Sequence, residues 1–268
     1  MTDPHAEILL RIDSALKSAQ KIFQRFNPGA VEAEFKAGHD PVTEADRAVD
    51  TLLRKELLRD GEGWLSEESV DDLSRLEKRR VWIVDPLDGT REFVAGIPEF
   101  CVSVALVEDG RPVAGGIYNP ATDESFLGSI DTGVTYNGKF VHASDRQRLN
   151  DAVVLASRSE MKRGEWKQFE NAEFKVQPMG SVAYKLARVS AGLADATFTL
   201  VPKHEWDIAA GVALVQSGGG FISTLNGSEL CFNERDPLVS GLLASGPALG
   251  PQLVSRLGLS AHCVSNQQ

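Results

Sequence analysis

Two carboxylate side chains three positions apart follow a short apolar run in residues 81–90, which read VWIVDPLDGT. The apolar run predicts a buried strand that ends at Asp85. Asp88 returns a second carboxylate toward the first, and the missing side chain at Gly89 lets the backbone approach a ligand closely. Thr90 begins a predicted helical turn, whose backbone N–H groups favour an anion such as phosphate. Because paired carboxylates hold hard cations, the segment predicts a metal-assisted phosphate site.

Each acidic residue also has a purely structural interpretation. Asp-Pro and Asp-Gly are ordinary turn dipeptides in which the Asp side chain bonds its own backbone. Glu67 and Glu68 follow a predicted strand and could coordinate a metal, or they could form a solvated surface run. Asp207 lies in the first turn of a predicted helix, where an acid also serves as a cap. Asp46 stands three residues after Thr43, which is the spacing of a capping box. Taken singly, each carboxylate is explained by local structure.

The composition excludes several classes of protein. A net charge of −10 over 268 residues has the wrong sign for binding polymeric nucleic acid. Without a long apolar stretch or a secretory signal, the chain is expected to be cytoplasmic and to have no membrane partner. Cys101, Cys231 and Cys263 are widely spaced and are predicted to be free thiols. An acidic chain can still bind a small phosphorylated metabolite where metal ions reverse the local field.

The periodicity of apolar residues differs between the two halves of the chain. The first half predicts amphipathic helices over 5–25 and after Thr43, then β-hairpins around 108–110 and 137–138. The second half alternates between strands and helices, which is typical of α/β layering. Its predicted strands cover 152–156, 173–177, 194–200 and 219–224, and its predicted helices cover 160–170, 181–191 and 206–217. We therefore expect two packed domains, 1–147 and 148–268, that share a cleft.

Three sequence blocks together carry a resemblance to a known family. They are DPVTEAD at 40–46, SEES at 66–69 with VDPLDGT at 84–90, and EWDIAAG at 205–211. Their order and spacing resemble those of the inositol monophosphatase-like superfamily of metal-dependent phosphatases, along nearly the whole chain. The resemblance implies a layered α-β-α-β-α sandwich, with an antiparallel sheet in the first half and alternating α/β structure in the second. It also implies a homodimer.

The resemblance further implies a cofactor and roles for particular residues. The cofactor is Mg²⁺, as two or three ions, and Li⁺ is a possible inhibitor. Thr90 and Asp46 match the pair that positions and helps to deprotonate the attacking water, and Glu67 matches a glutamate that bridges the metals, with Glu68 as a less certain neighbour. The implied metal ligands are Glu67, Asp85, the carbonyl of Leu87, Asp88 and Asp207, and the implied phosphate and substrate contacts are Gly89, Thr90, Gly180, Ser181 and Asp207.

The chemistry of phosphate-ester hydrolysis agrees with these roles. An anionic nucleophile must reach an anionic centre, and two cations about 4 Å apart both activate water and neutralise the leaving oxygen. The sequence shows no evident Ser-His-Asp or Cys-His relay, and its five histidines lack zinc-ligand spacing. His39 and His204 lie near the sequence blocks and could touch substrate, but either could equally be structural.

The substrate is predicted from finer features. The segments 88–93 and 157–159 resemble the bacterial 3'(2'),5'-bisphosphate nucleotidase branch. Classical inositol monophosphatases carry a hydroxyl-binding glutamate seven residues before the aspartate that matches Asp207, and Leu200 stands there in this chain. Without that hydroxyl partner, a strict preference for inositol is not expected. Adenosine 3',5'-bisphosphate is therefore the first predicted substrate, and an inositol or sugar monophosphate is the second.

Three basic side chains are candidates for binding a second phosphate, and two functions other than hydrolysis are also consistent with the sequence. Arg158, Lys185 and Lys203 could bind the second phosphate of a bisphosphate, although surface cations are usually solvated. A regulatory protein that binds phosphate without turnover is an alternative, because fold does not guarantee activity. A structural domain whose acidic turns are only caps is a third possibility.

Overall fold

The computed structural model describes residues 5–35, 41–225 and 230–259 of the chain. Its helices are α1 (Ala6–Phe23), α2 (Glu44–Leu57), α3 (Thr90–Ala95), α4 (Arg158–Arg163), α5 (Val182–Ser190), α6 (Glu205–Ser217) and α7 (Gly250–Arg256), with 3₁₀ turns at Ser74–Glu77 and Glu165–Phe169. Its strands are β1 (Glu34–Phe35), β2 (Pro41–Val42), β3 (Gly63–Ser66), β4 (Arg80–Asp88), β5 (Cys101–Glu108), β6 (Arg111–Asn119), β7 (Glu124–Ser129), β8 (Gly133–Tyr136), β9 (Lys139–Val141), β10 (Val153–Ser157), β11 (Lys175–Met179), β12 (Ala196–Thr199), β13 (Lys203–His204), β14 (Phe221–Thr224), β15 (Leu238–Val239) and β16 (Leu242–Ser245).

The first half forms a seven-stranded sheet in the order β3-β4-β5-β6-β7-β8-β9. Strands β3 and β4 are parallel, and all the other neighbours are antiparallel. The apolar run in β4 is continuous because both of its faces are buried. Trp82 and Val84 belong to the core formed with α1 and α2, whereas Val81 and Ile83 belong to the core formed with α5 and α6.

The second half forms a five-stranded mixed sheet in the order β11-β10-β12-β16-β14. Its parallel pairs are β10 with β11 and β10 with β12, while β16 runs antiparallel to both of its neighbours. One face packs on α5 and α6, where Leu155 and Ala244 join their core. The other face packs on the region of α4 and α7, where Phe198 lies with Trp166 and Leu253.

Helices α5 and α6 therefore lie between the two sheets, and the layers follow the order α-β-α-β-α. This confirms the predicted layered sandwich. The contact between α6 and the first sheet is close, since a Cβ at Gly115 would lie 2.7 Å from the carbonyl oxygen of Ala210. Small side chains at these positions let the helix approach the strand. The predicted division at residues 147 and 148 stays a prediction.

Most predicted elements are present, but several bounds differ. The 5–25 helix is α1, the capped helix after Thr43 is α2, and both hairpins form. The strand expected to end at Asp85 continues to Asp88, with a shift of register against β5 between the two residues. The prediction of one continuous helix over 160–170 is wrong. Gly164 has φ +83° and separates α4 from a 3₁₀ turn. In the described part of the chain, we find no helix with the length and hydropathy of a membrane span.

Candidate metal and phosphate site

Three carboxylates from separate parts of the chain meet at one point. Glu67 follows β3, and β3 pairs in parallel with β4, in which Ser66 lies opposite Val84 and Asp85 is the next residue. Asp207 is the third residue of α6, and the start of this helix contacts the first sheet through Ser103, the β5 residue opposite Asp85. One oxygen from each of the three side chains lies within 4.8 Å of the other two. This spacing is short enough for the three groups to share one cation.

A positive charge would stabilise the three carboxylates of this trio. Burial raises the pKa of Asp85 well above its ordinary value, and the charges of Glu67, Asp88 and Asp207 raise it further. Burial likewise raises the pKa of Asp207, and Asp88 and Glu67 add to this effect. Gathered carboxylates repel each other until a cation or a proton neutralises them. Because the donors are all hard oxygens, the set fits Mg²⁺.

Asp88 lies beside this trio but is not one of the three. Its Oδ2 accepts hydrogen bonds from the Ser181 hydroxyl and the Ala183 N–H, both at 2.6 Å. Burial raises the pKa of Asp88 against the effect of these bonds. Asp88 thus joins the first sheet to the start of α5. Its predicted role as a metal ligand would fall to Oδ1, which has no hydrogen bond to the described residues.

The predicted water-positioning pair is in contact. The Thr90 hydroxyl lies 3.1 Å from Asp46 Oδ1 and 3.0 Å from the Leu87 carbonyl oxygen. Asp46 is 1 % exposed, and its Oδ2 accepts from the N–H of Thr43 at 2.8 Å and from the Thr43 hydroxyl at 2.6 Å. The capping box and the pairing with Thr90 therefore coexist, one on each carboxylate oxygen. When Thr90 donates its single proton to Asp46, its lone pairs can accept from a water molecule.

Glycine is required at the turn between Asp88 and Thr90. Gly89 has φ +96°, and a Cβ there would lie 2.8 Å from the carbonyl oxygen of Glu99. Any other residue would combine a left-handed backbone with a steric clash. Glycine therefore lets the turn pack directly against the backbone of Glu99 and Phe100.

The predicted substrate contacts at residues 180 and 181 lie next to this turn. The N–H of Gly180 donates to Glu99 Oε2 at 2.7 Å. Ser181 is held at φ +54° while its Oγ donates to Asp88 and accepts from the N–H of Tyr184 at 3.0 Å. A non-glycine residue in this conformation is strained, and strain of this kind often accompanies functional sites. Asp88 thus restrains the start of α5.

Two of the three predicted phosphate-binding cations already have partners within the protein, and their contact with a phosphate stays a prediction. Arg158 forms a two-pronged ion pair with Glu99 at 2.5 and 2.6 Å. Lys185 is 2 % exposed and donates to the carbonyl of Ser181 at 3.0 Å. Sequence patterns do not reveal that an arginine already has a carboxylate partner. Lys203 differs, because its charge acts on Asp88 and Asp207 and its Nζ has no hydrogen-bond partner among the described residues.

The two histidines near the sequence blocks have different outcomes. The His204 ring stacks on Trp206 with 4.3 Å between centroids, and its backbone N–H donates to Asp207 at 2.9 Å. Contact of His204 with substrate stays a prediction. His39 lies outside the described residues, as does Cys263. Cys101 is buried and Cys231 is exposed, and neither forms a disulfide with a described residue.

Sequence reasoning missed Asp50, one turn after Asp46 on α2. Its carboxylate accepts from the hydroxyls of Ser66 at 2.6 Å and Ser69 at 2.7 Å, which flank Glu67 and Glu68. Asp50 therefore anchors the loop that presents Glu67. The signal was available, since Asp46 and Asp50 are four residues apart and share a helix face.

Lys185 provides a prediction on the pH dependence of stability. Burial lowers the pKa of Lys185 from its ordinary 10.5 to about 8. Between these values the unfolded state binds the proton more tightly, so stability rises with pH across this window. From pH 8 to 10.5, the free energy of unfolding of the wild type should increase by on the order of 3 kcal/mol relative to Lys185→Met. Urea titrations at both pH values would measure this, and the exposed-site variant Lys162→Met should show no such change.

Comparisons with known proteins agree with this geometry. The sequence signature described as "Inositol monophosphatase family" matches residues 5–257. The chain is 34 % identical over 245 residues to an inositol-1-monophosphatase of Mesorhizobium japonicum, covering 88 % of this chain and 89 % of that protein. The extragenic suppressor protein suhB of Bartonella henselae superimposes with a TM-score of 0.80 at 29 % identity, covering 97 % and 100 % of the two chains. CysQ of Bacteroides thetaiotaomicron superimposes with a TM-score of 0.73 at 26 % identity, covering 90 % and 97 %. The chain belongs to the inositol monophosphatase family, whose members are phosphoric monoester hydrolases.

Proposed function

We propose that the protein hydrolyses the phosphate monoester of a small metabolite in a Mg²⁺-dependent reaction. The main support for this proposal is that one carboxylate oxygen from each of Glu67, Asp85 and Asp207 lies within 4.8 Å of the other two. These residues, with Asp88 and the Leu87 carbonyl beside them, would hold the metal. When bound, Mg²⁺ would neutralise phosphate charge and make water more acidic. Two or three ions per site, and inhibition by Li⁺, are part of the same proposal.

The residues around the trio would orient the reactants. Asp46 accepts a hydrogen bond from the Thr90 hydroxyl, so that the Thr90 oxygen could accept one from the attacking water. Gly89 would let the phosphate approach the backbone of the turn. Asp88 and Ser181 fix the start of α5, where the rest of the substrate would lie. Holding reactants in a near-attack geometry of this kind lowers the barrier without a covalent intermediate.

For the substrate itself, we favour adenosine 3',5'-bisphosphate. Lys203 is the observation that supports a second anionic group, because its charge reaches Asp88 and Asp207 while its Nζ has no hydrogen-bond partner in the described chain. Leu200 argues against inositol as the substrate, since an apolar side chain cannot accept a hydrogen bond from a polyol hydroxyl. Its backbone N–H is bonded to the buried Glu160 carboxylate at 3.2 Å.

An inositol or sugar monophosphate is the second candidate. It is favoured by the name of the Mesorhizobium japonicum relative, and by the ion pair that already occupies Arg158. With Lys185 buried, Lys203 would be the remaining cation of the three predicted for a second phosphate. The two substrate classes therefore differ in how strongly they should depend on Lys203.

A substrate panel with Lys203→Met tests this choice. We expect wild-type kcat/KM to be highest for adenosine 3',5'-bisphosphate among that compound, inositol 1-phosphate and fructose 1,6-bisphosphate. Lys203→Met should lower kcat/KM for the adenosine compound by about 10- to 100-fold, the scale of one charge-assisted contact, and for inositol 1-phosphate by much less. The ratio between substrates cancels any general effect on the metal site. An unchanged ratio, or a wild-type preference for inositol 1-phosphate, would favour the second candidate.

A regulatory protein without turnover remains the alternative from another class. It predicts Mg²⁺-dependent binding of phosphorylated ligands with no phosphate release across the whole panel. The presence of all the predicted carboxylates, together with the Thr90–Asp46 contact, argues against a degenerate site. Assembly as a homodimer is a further proposal, which the mass of the protein in solution would test.

A further inference from the structure

The metal trio combines side chains from distant parts of the fold. Glu67 follows a strand of the first sheet, whereas Asp207 begins a helix of the middle layer. Their carboxylates repel each other, so the distance between them must be fixed by other contacts. A buried polar network joins the loop after Glu67 to the start of the helix that carries Asp207.

The centre of this network is Arg75, in the 3₁₀ turn that follows the Glu67 loop. Arg75 is 1 % exposed. Its Nε and Nη2 donate to Asp71 Oδ2 at 3.1 and 2.9 Å, within the loop itself. Its Nη1 donates to Asn233 Oδ1 at 2.8 Å, and its Nη2 also donates to the carbonyl of Glu234 at 2.9 Å. Four bonds from one planar guanidinium fix both position and angle.

The segment reached by Arg75 is in turn bonded to the start of α6. Both oxygens of Glu205, the first residue of that helix, accept from this segment: Oε2 from the N–H of Asn233 at 2.7 Å and Oε1 from the N–H of Glu234 at 2.9 Å. Glu205 is 1 % exposed and lies two residues before Asp207. Asn233 closes the network by donating its Nδ2 to the carbonyl of Arg75 at 3.2 Å.

Two residues near Arg75 have a left-handed backbone: Leu73, which lies two positions before it in the chain, and its hydrogen-bond partner Asn233. Leu73 has φ +63° and Asn233 has φ +64°. Asn tolerates the left-handed region, but Leu does so at an energetic cost that the surroundings must offset. The bonds of Arg75 to Asp71 and Asn233 provide that restraint on either side.

We propose that Arg75 is a positioning residue that ties the Glu67 loop to the start of α6, and thereby sets the separation of Glu67 and Asp207 on which divalent-cation affinity depends. The role rests on the proposed metal-dependent function. Arg75 would touch neither the metal nor the substrate. Groups that orient metal ligands typically change metal affinity by about 10- to 100-fold when they are altered.

The test compares Arg75→Lys with Arg79→Lys. Lys keeps the charge but cannot form the four-bond fork, while the Arg79 side chain is 73 % exposed and serves as a matched control. Thermal melts of the substrate-free protein across a Mg²⁺ titration give the half-saturating concentration. We expect this concentration to rise about 10-fold or more in Arg75→Lys and to stay within about 2-fold of wild type in Arg79→Lys. A role in stability alone would lower the melting temperature without Mg²⁺ but leave the half-saturating concentration unchanged, and would overturn the proposal.

Asn233→Gly keeps the proposal testable if Arg75→Lys does not fold, because Gly adopts the left-handed backbone of residue 233 without strain. It removes the Asn233 side-chain bonds to Arg75 while leaving the bonds of Arg75 to Asp71 and to the Glu234 carbonyl. It should also raise the half-saturating Mg²⁺ concentration, and a folded Asn233→Gly with a wild-type curve would overturn the proposal. Since the melts contain no substrate, they are separate from turnover. A wild type that binds Mg²⁺ but releases no phosphate would refute the hydrolase and leave the role of Arg75 standing, whereas a wild type with no Mg²⁺ response would overturn both.

Discussion

Asp85→Asn is expected to abolish Mg²⁺-dependent phosphate release while leaving the metal-free protein as stable as the wild type or more so. Loss of one ligand charge should lower kcat/KM by about 10²–10³-fold or more, which is the scale for removing one electrostatic stabiliser. The metal-free protein gains because neutralising Asp85 relieves its repulsion with Glu67 and Asp207. Asn retains the oxygen that accepts from the N–H of Leu87 at 2.9 Å. Phosphate-release assays and thermal melts in EDTA measure both effects.

The same melts with Mg²⁺ provide the contrast. The wild type should gain about 2.7 kcal/mol when Mg²⁺ is present at 100 times its dissociation constant, since a ligand that binds only the folded state stabilises it. Asp85→Asn should gain little, and the exposed-site variant Asp145→Asn should behave like the wild type. Full activity in Asp85→Asn, or a large loss of its stability in EDTA, would show that Asp85 is a structural acid and not a metal ligand.

Thr90→Ala is expected to reduce kcat by about 10²–10⁴-fold without changing Mg²⁺ affinity. The hydroxyl at 3.1 Å from Asp46 would orient the attacking water, whereas the metal trio does not include Thr90. Catalysis and metal binding should therefore separate in this variant. Single-turnover phosphate release at saturating Mg²⁺ measures the first, and the Mg²⁺ dependence of the melting temperature measures the second.

Thr90→Ser is the matched control, because it keeps the hydroxyl and removes only a methyl group. It should retain most of the activity. If Thr90→Ser and Thr90→Ala are equally impaired, the hydroxyl is not the important group. If Thr90→Ala loses Mg²⁺ binding as well, the turn around Gly89 and Leu87 depends on Thr90 for its shape, and the assignment of a water-positioning role fails.

The individual helices and strands could be predicted from the sequence because their signals are local and repeated, whereas the order of the layers was implied by the family resemblance. Helical spacing identified α1, and Asn-Gly at 137–138 identified a hairpin. The continuous apolar run in β4 indicated a strand with both faces buried, which is what the cores around Trp82 and Ile83 require. Strand β16 was missed because four residues, LLAS, carry too weak a pattern to identify.

The metal trio was predictable for a different reason. The carboxylates lie far apart in the sequence, at a strand end and at a helix start, and each could be explained by local structure. Only the family resemblance predicted that they bind the same metal ions. Contacts that depend on a distant partner could not be predicted in this way. Nothing in the sequence shows that Glu99 neutralises Arg158, that carbonyl oxygens enclose Lys185, or that Asp50 holds the hydroxyls around the Glu67 loop.

The shared middle layer also limits how this enzyme can change. Helices α5 and α6 contribute apolar side chains to the cores of both sheets. An exchange of one half with that of a relative would replace only one side of each helix interface, and tightly packed interiors tolerate little change in volume. New specificities should therefore arise through the loops around the metal trio, and recombination of whole halves should be a poor route to them.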